Sequence, residues 1–132
     1  MKVVLDTNIY ISSFYWSGNP RKVIERVING LDELYISEEI LEEVISVMSS
    51  KKFNTDNVKI EEYVKTIESY SFKLLLSQIP IRISRDVDDN KILQCGVEGR
   101  VDFLITGDND LLEINEYKGI KIVNPMDYLK IV

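Results

Sequence analysis

The sequence contains no histidine. That removes the commonest general base, every Ser-His or Cys-His nucleophile pair and most zinc sites. There is one cysteine, Cys95, so no disulfide can form within the chain and no oxidising compartment is implied. No run reaches the ~18 apolar residues that span a membrane. The first apolar run stops at Asp6, too early for a signal peptide. A cytoplasmic protein with no membrane role is expected. Bases are also in short supply: 16 Lys and Arg face 22 Asp and Glu, for a net charge of −6. An acidic surface repels phosphate and argues against nucleic-acid binding. The argument weakens if the acids gather in a pocket that divalent cations neutralise.

The 132 residues fit one domain, 1–132, and 45 % of them are hydrophobic, as in ordinary globular proteins. Val3-Val4-Leu5 reads as a buried strand. Ile9, Ile11 and Phe14 suit a short helix, and Gly18-Asn19-Pro20 breaks it. Residues 21–29 carry a helical apolar face that Gly30 closes. Leu34–Ile36 is a second strand, and Ser37 caps a helix running to about Lys51. A further helix is predicted over 58–71, and an edge strand over 79–83 that carries Pro80. Acids open a helix over 86–95, which Gly96 and Gly99 end. Phe103–Ile105 is a strand, 110–113 a short helix, Ile120–Val123 the last strand and 125–129 a closing turn. Strands alternating with helices at this spacing predict an α/β fold, with a central parallel sheet between two helical layers.

Sites on such sheets form at the carboxyl ends of the strands. Asp6 follows the first strand directly, and Asp108 follows the strand at 103–105 by two residues. Taken alone, each reads first as an N-cap. On the helix after Ser37, Ile40, Leu41, Val44, Ile45, Val47 and Met48 form the apolar stripe, and Glu43 borders it. In the run "RDVDDN", Asp86 and Asp89 share a helix face, and Asp89 stands in line with Ile92 and Leu93. Taken singly, each acid has a bland reading. Together they come from four segments, and burying several carboxylates without cations forces them to protonate. An all-carboxylate set with no His or Cys suits Mg²⁺ or Mn²⁺. Such a site can hydrolyse a phosphodiester with a metal-activated water.

Four blocks, "VVLDTNIYIS", "SEEILEEV", "RDVDDNKIL" and "LITGDNDLL", stand in this order along the chain. Together they resemble a PIN domain, and more narrowly the toxin-like, VapC-like PIN proteins of bacterial and archaeal toxin–antitoxin modules. "SGNP" and "IVNPMDYL" match that subgroup too. The resemblance implies an α/β/α sandwich and a Mg²⁺- or Mn²⁺-dependent ribonuclease using one or two ions. It matches the family's four catalytic acids to Asp6, Glu43, Asp89 and Asp108, and further metal-binding acids to Asp86 and Asp110. Thr7, Asn8 and Thr106 match polar residues that orient those ligands. Val87 stands where Pro is frequent, and Cys95-Gly96 where Ala-like residues are usual; neither falls on a matched acid. RNA is the implied substrate, an antitoxin protein and a second copy of the chain the implied partners. Tyr15-Trp16 is a possible dimer contact.

Among the basic residues, Arg21 and Lys22 are the foremost candidates for the RNA backbone, although solvated helix faces explain them as well. Rival readings are a housekeeping RNA-processing nuclease, a PIN-like domain that only binds, and a phosphoacceptor receiver domain. The receiver domain wants a pair of acids after the first strand, where this chain has one.

Overall fold

The computed structural model describes residues 1–77, 82 and 87–132, without the side chains of Val87 and Asp88. In chain order its elements are β1 (Lys2–Leu5), α1 (Thr7–Tyr15), α2 (Asn19–Ile28), β2 (Glu33–Ser37), α3 (Glu38–Ser49), α4 (Asn57–Ser69), β3 (Ser71–Leu74), α5 (Val87–Gly99), β4 (Phe103–Ile105), α6 (Asn109–Ile114), β5 (Glu116–Tyr117), β6 (Ile120–Val123) and α7 (Pro125–Ile131). Local chemistry sets several boundaries. The Ser37 hydroxyl accepts from the Ile40 amide at 3.3 Å and opens α3. Asp56 accepts from the Val58 amide at 2.8 Å and opens α4. Pro20 sits in the first turn of α2, where its missing N–H costs nothing. Gly30, at φ +77°, closes that helix.

Six strands form one sheet in the order β3-β2-β1-β4-β6-β5. The chain builds outward from β1 through β2 to β3, then returns to the other side of β1 with β4. The point of reversal therefore lies between β1 and β4, which pair in parallel as Val3–Phe103, Val4–Leu104 and Leu5–Ile105. Val3, Val4 and Leu5 are all fully buried, so helices cover both faces of the central strand. Among the described residues no helix is long and apolar enough to cross a membrane.

Three expectations need correction. The helix over 58–71 stops at Ser69, and Ser71–Leu74 forms β3, parallel to β2. Only Phe72 and Leu74 alternate there, and Phe72 is exposed, stacked on Tyr35, so the periodic signal was too short to read. The central sheet is parallel as expected, with one short antiparallel strand added at its edge. β5 runs antiparallel to β6 across a two-residue turn in which Lys118 (φ +50°) and Gly119 (φ +82°) both take the left-handed conformation. Ile45 is exposed and stands outside the α3 stripe. Finally, α5 runs through Gly96 to Gly99. The expected edge strand over 79–83 lies outside the described residues apart from Arg82.

Gly96 marks a close approach, not a helix end. A Cβ there would lie 3.2 Å from Val4 Cγ1 and 3.3 Å from Val101 Cγ2. The missing side chain lets α5 settle onto the centre of the sheet. Gly96→Leu is expected to destabilise the protein by about 2 kcal/mol through overpacking. Urea denaturation checks this: the midpoint should fall, and an unchanged midpoint would contradict the packing argument.

Candidate active site

The reversal point between β1 and β4 is where an open α/β sheet leaves a crevice at its carboxyl edge. Asp6 leaves β1 there, and Thr106, Gly107 and Asp108 leave β4. The Asp6 amide donates to the Ile105 carbonyl at 3.0 Å, extending the β1–β4 pairing to the edge of the crevice. Asp6 occupies the N-cap position of α1, yet its side chain makes no capping hydrogen bond. Its carboxylate is held chiefly by the neighbouring strand end. Thr106 Oγ1 donates to Asp6 Oδ2 at 2.6 Å, and the same hydroxyl accepts from the Asp108 amide at 2.9 Å. One threonine thus fixes two of the expected acids relative to each other.

Asp6 is only 5 % exposed. Burial pushes its carboxyl above the usual aspartate value; the Thr106 hydrogen bond and the nearby Asn8 and Thr7 amides oppose this, and the Asp108 charge adds to it. The folded protein therefore holds an acid in a position that disfavours its own ionisation. Nearby, one carboxylate oxygen each from Asp89, Asp108 and Asp110 all lie within 4.8 Å of one another. Asp89 is buried on α5, Asp108 is half-buried, and Asp110 is exposed. Asp108 also caps α6, since its Oδ1 accepts from the Asp110 amide at 2.9 Å. The capping reading and the cluster reading both hold for Asp108, because a carboxylate has two oxygens.

A second threonine ties Glu43 to the start of α1, and Glu43 is not among the three acids whose oxygens converge. Thr7 Oγ1 donates to Glu43 Oε2 at 2.8 Å, which ties mid-α3 to the residue following Asp6. Asn8 stands exposed on the first turn of α1. Asp86 lies outside the described residues. Arg21 is engaged with α1: its Nε donates to the Ser13 carbonyl at 3.0 Å and its Nη2 to that of Phe14 at 3.3 Å. Its guanidinium satisfies the last carbonyls of that helix. Lys22 is exposed. Burial pushes the Cys95 thiol up to about 12, so it is no nucleophile at neutral pH.

The donors are oxygens only, several are carboxylates, and one is strongly desolvated. This set fits a hard divalent cation such as Mg²⁺ or Mn²⁺ and suits Zn²⁺ poorly. Asn90, next to Asp89 on α5, is a buried amide that the sequence does not single out. Its only signal was a polar residue next to the inward face.

A family model described as the PIN domain matches residues 2–110. The chain belongs to the PIN-domain family. PIN domains are nucleases and generally use divalent metals. The matched span contains Asp6, Glu43, Asp89, Asp108 and Asp110 of this PIN domain. No curated protein sequence matches the chain. Among solved structures, the fold is similar to that of a chain in VapBC2 from Rickettsia felis bound to a DNA fragment from their promoter. The TM-score is 0.62, with 17 % sequence identity over 94 % of this chain and 98 % of that one.

Thr106→Val keeps the shape of the strand end but removes the hydroxyl between Asp6 and Asp108. It is expected to lower nuclease activity about 10- to 100-fold, as loss of an orienting partner does. Single-turnover rates would check this, and a variant as fast as wild type would show the bridge to be dispensable.

Proposed function

We propose that this PIN domain is a Mg²⁺- or Mn²⁺-dependent endoribonuclease. The single observation that carries the reading is the convergence of acids at the β1–β4 crevice. Asp89, Asp108 and Asp110 offer oxygens to one point, and Thr106 holds Asp6 against Asp108. These residues would hold the cation, with Glu43 contributing through its Thr7 contact. When bound, the cation supplies the positive charge that activates water and steadies the attacking and leaving oxygens at phosphorus. Thr106 and Thr7 keep the carboxylates in place. Asn8 is the residue we assign to hydrogen-bond a ligand carboxylate. Lys22 is the better placed of the two basic residues to touch the RNA backbone, since Arg21 is occupied by α1.

The likeness to a VapBC2 chain supports a place in a toxin–antitoxin module, with an antitoxin protein as partner. A second copy of the chain is the other partner proposed, and the exposed Trp16 beside Tyr15 is a candidate contact. All 132 residues act as one domain in this reading, because β6 and α7 beyond the matched span complete the same sheet and its cover.

The test is cleavage of single-stranded RNA by purified protein in Mn²⁺, Mg²⁺ or EDTA. Cleavage with either metal and none in EDTA is expected. Binding without cleavage under every condition would overturn the nuclease reading in favour of a binding module.

A further inference from the structure

The two Asn-Pro pairs of the sequence, Asn19-Pro20 and Asn124-Pro125, are far apart in the chain and yet line one cavity of about 280 Å³. Its remaining walls include Asn8 and Gly107. Asn8 lies two residues after Asp6, and Gly107 lies between Thr106 and Asp108. The cavity therefore opens beside the acids. No charged residue lines it, in a chain that is 29 % charged. Its polar groups are three carboxamides and the Ser12 hydroxyl; Pro20 and Met126 are among its apolar walls. The Asn124 Oδ1 accepts from the Asp127 amide at 2.8 Å, which leaves its Nδ2 as the donor and fixes the orientation of the group. The side chains of Asn8, Ser12 and Asn19 make no hydrogen bond to another described residue.

A phosphate would find no cation here, and a purely apolar group would strand the carboxamides. A flat, neutral heteroaromatic ring with hydrogen-bonding edges satisfies both kinds of wall. We propose that this cavity binds one unpaired nucleobase of the RNA next to the scissile phosphate, and that Asn19 and Asn124 read its edge. The proposal rests on the ribonuclease reading for its RNA, but base recognition can be tested apart from cleavage.

First, nucleosides at millimolar concentration are titrated into wild-type protein in EDTA. The side-chain amide signals of Asn19 and Asn124 and the Gly107 backbone amide are followed by NMR. Saturable shifts in these signals are expected, weakened in Asn19→Ala, a change that breaks no hydrogen bond to a described residue. Second, a randomised RNA is cleaved with Mn²⁺. A preference at one nucleotide position is expected, relaxed about tenfold in Asn19→Ala with the other positions unchanged. Nucleoside binding without cleavage would retire the nuclease reading and keep the pocket. Cleavage with no nucleoside response and an unaltered preference would overturn the pocket and keep the nuclease. Signals that move only with a protein partner would overturn it as well.

Discussion

Asp6→Asn is expected to slow RNA cleavage about a hundred- to a thousand-fold, the loss seen when one preorganised group is removed from a reacting centre. In EDTA near neutral pH the same variant should melt at a higher temperature than wild type. The two effects share one cause. Burial raises the Asp6 pKa in the folded state above its unfolded value. An acid shifted in this direction binds its proton better when folded. Stability is then lost as pH rises from the unfolded pKa through the folded one, and above that window the charged form remains a standing cost. Asparagine keeps an oxygen for the Thr106 hydroxyl and carries no charge. Adding Mn²⁺ should narrow or reverse the difference, because a ligand of the folded state stabilises by mass action, about 2.7 kcal/mol at 100 times Kd. Thermal denaturation with and without metal checks the prediction. An Asp6→Asn protein that melts lower than wild type in EDTA would show that the carboxylate is stabilising without a cation.

The second large effect concerns an acid of the opposite kind. Asp32 has a fully buried side chain that accepts from Arg26 Nε at 2.8 Å, and the N-terminal ammonium lies 3.3 Å away. Burial pushes its carboxyl up, but the Arg26 guanidinium, together with Tyr128 and the N-terminal ammonium, outweighs this and holds it below the usual aspartate value. The sign of the linkage is therefore reversed. The stabilisation is present above the unfolded pKa of about 4 and disappears as pH falls through the lower folded value. Asp32→Ala is expected to cost about 2–3 kcal/mol, toward the low end for a broken buried pair because Arg26 stays partly exposed. It should also flatten the loss of stability at acid pH. Cleavage per folded molecule should not change, since Met1 and Asp32 precede β1 and β2 at the sheet edge opposite the acids. Urea midpoints across acid pH, paired with cleavage rates, separate the two roles. A variant with wild-type stability would contradict the account of the pair.

Much of this was legible in the sequence. Strong periodicity placed α2 and α3, and short β-branched runs placed β1, β2, β4 and β6. The strand ends then placed Asp6 and Asp108 at one edge without any coordinates. β3 escaped because its four residues, SFKL, hold no apolar run and leave Phe72 exposed, and β5 because it has only two residues. Gly96 reads as a terminator because a glycine inside a helix and one at its end look alike in sequence; only the contacts with Val4 and Val101 distinguish them. The threonine bridges were invisible for a different reason. Thr106 and Asp6 are 100 residues apart and meet only when β1 pairs with β4. Arg21 shows the converse. A basic residue after a loop suggests phosphate, yet the nearest unsatisfied acceptors were the carbonyls of its own neighbouring helix.

The central claim is that the acids of the β1–β4 crevice form one divalent-cation site, and Mn²⁺ calorimetry on the intact protein tests it most directly. The account predicts saturable Mn²⁺ binding to wild type, weakened at least tenfold in both Asp89→Asn and Asp108→Asn and unchanged in Asp32→Asn. Equal Mn²⁺ affinity in all four proteins would contradict it.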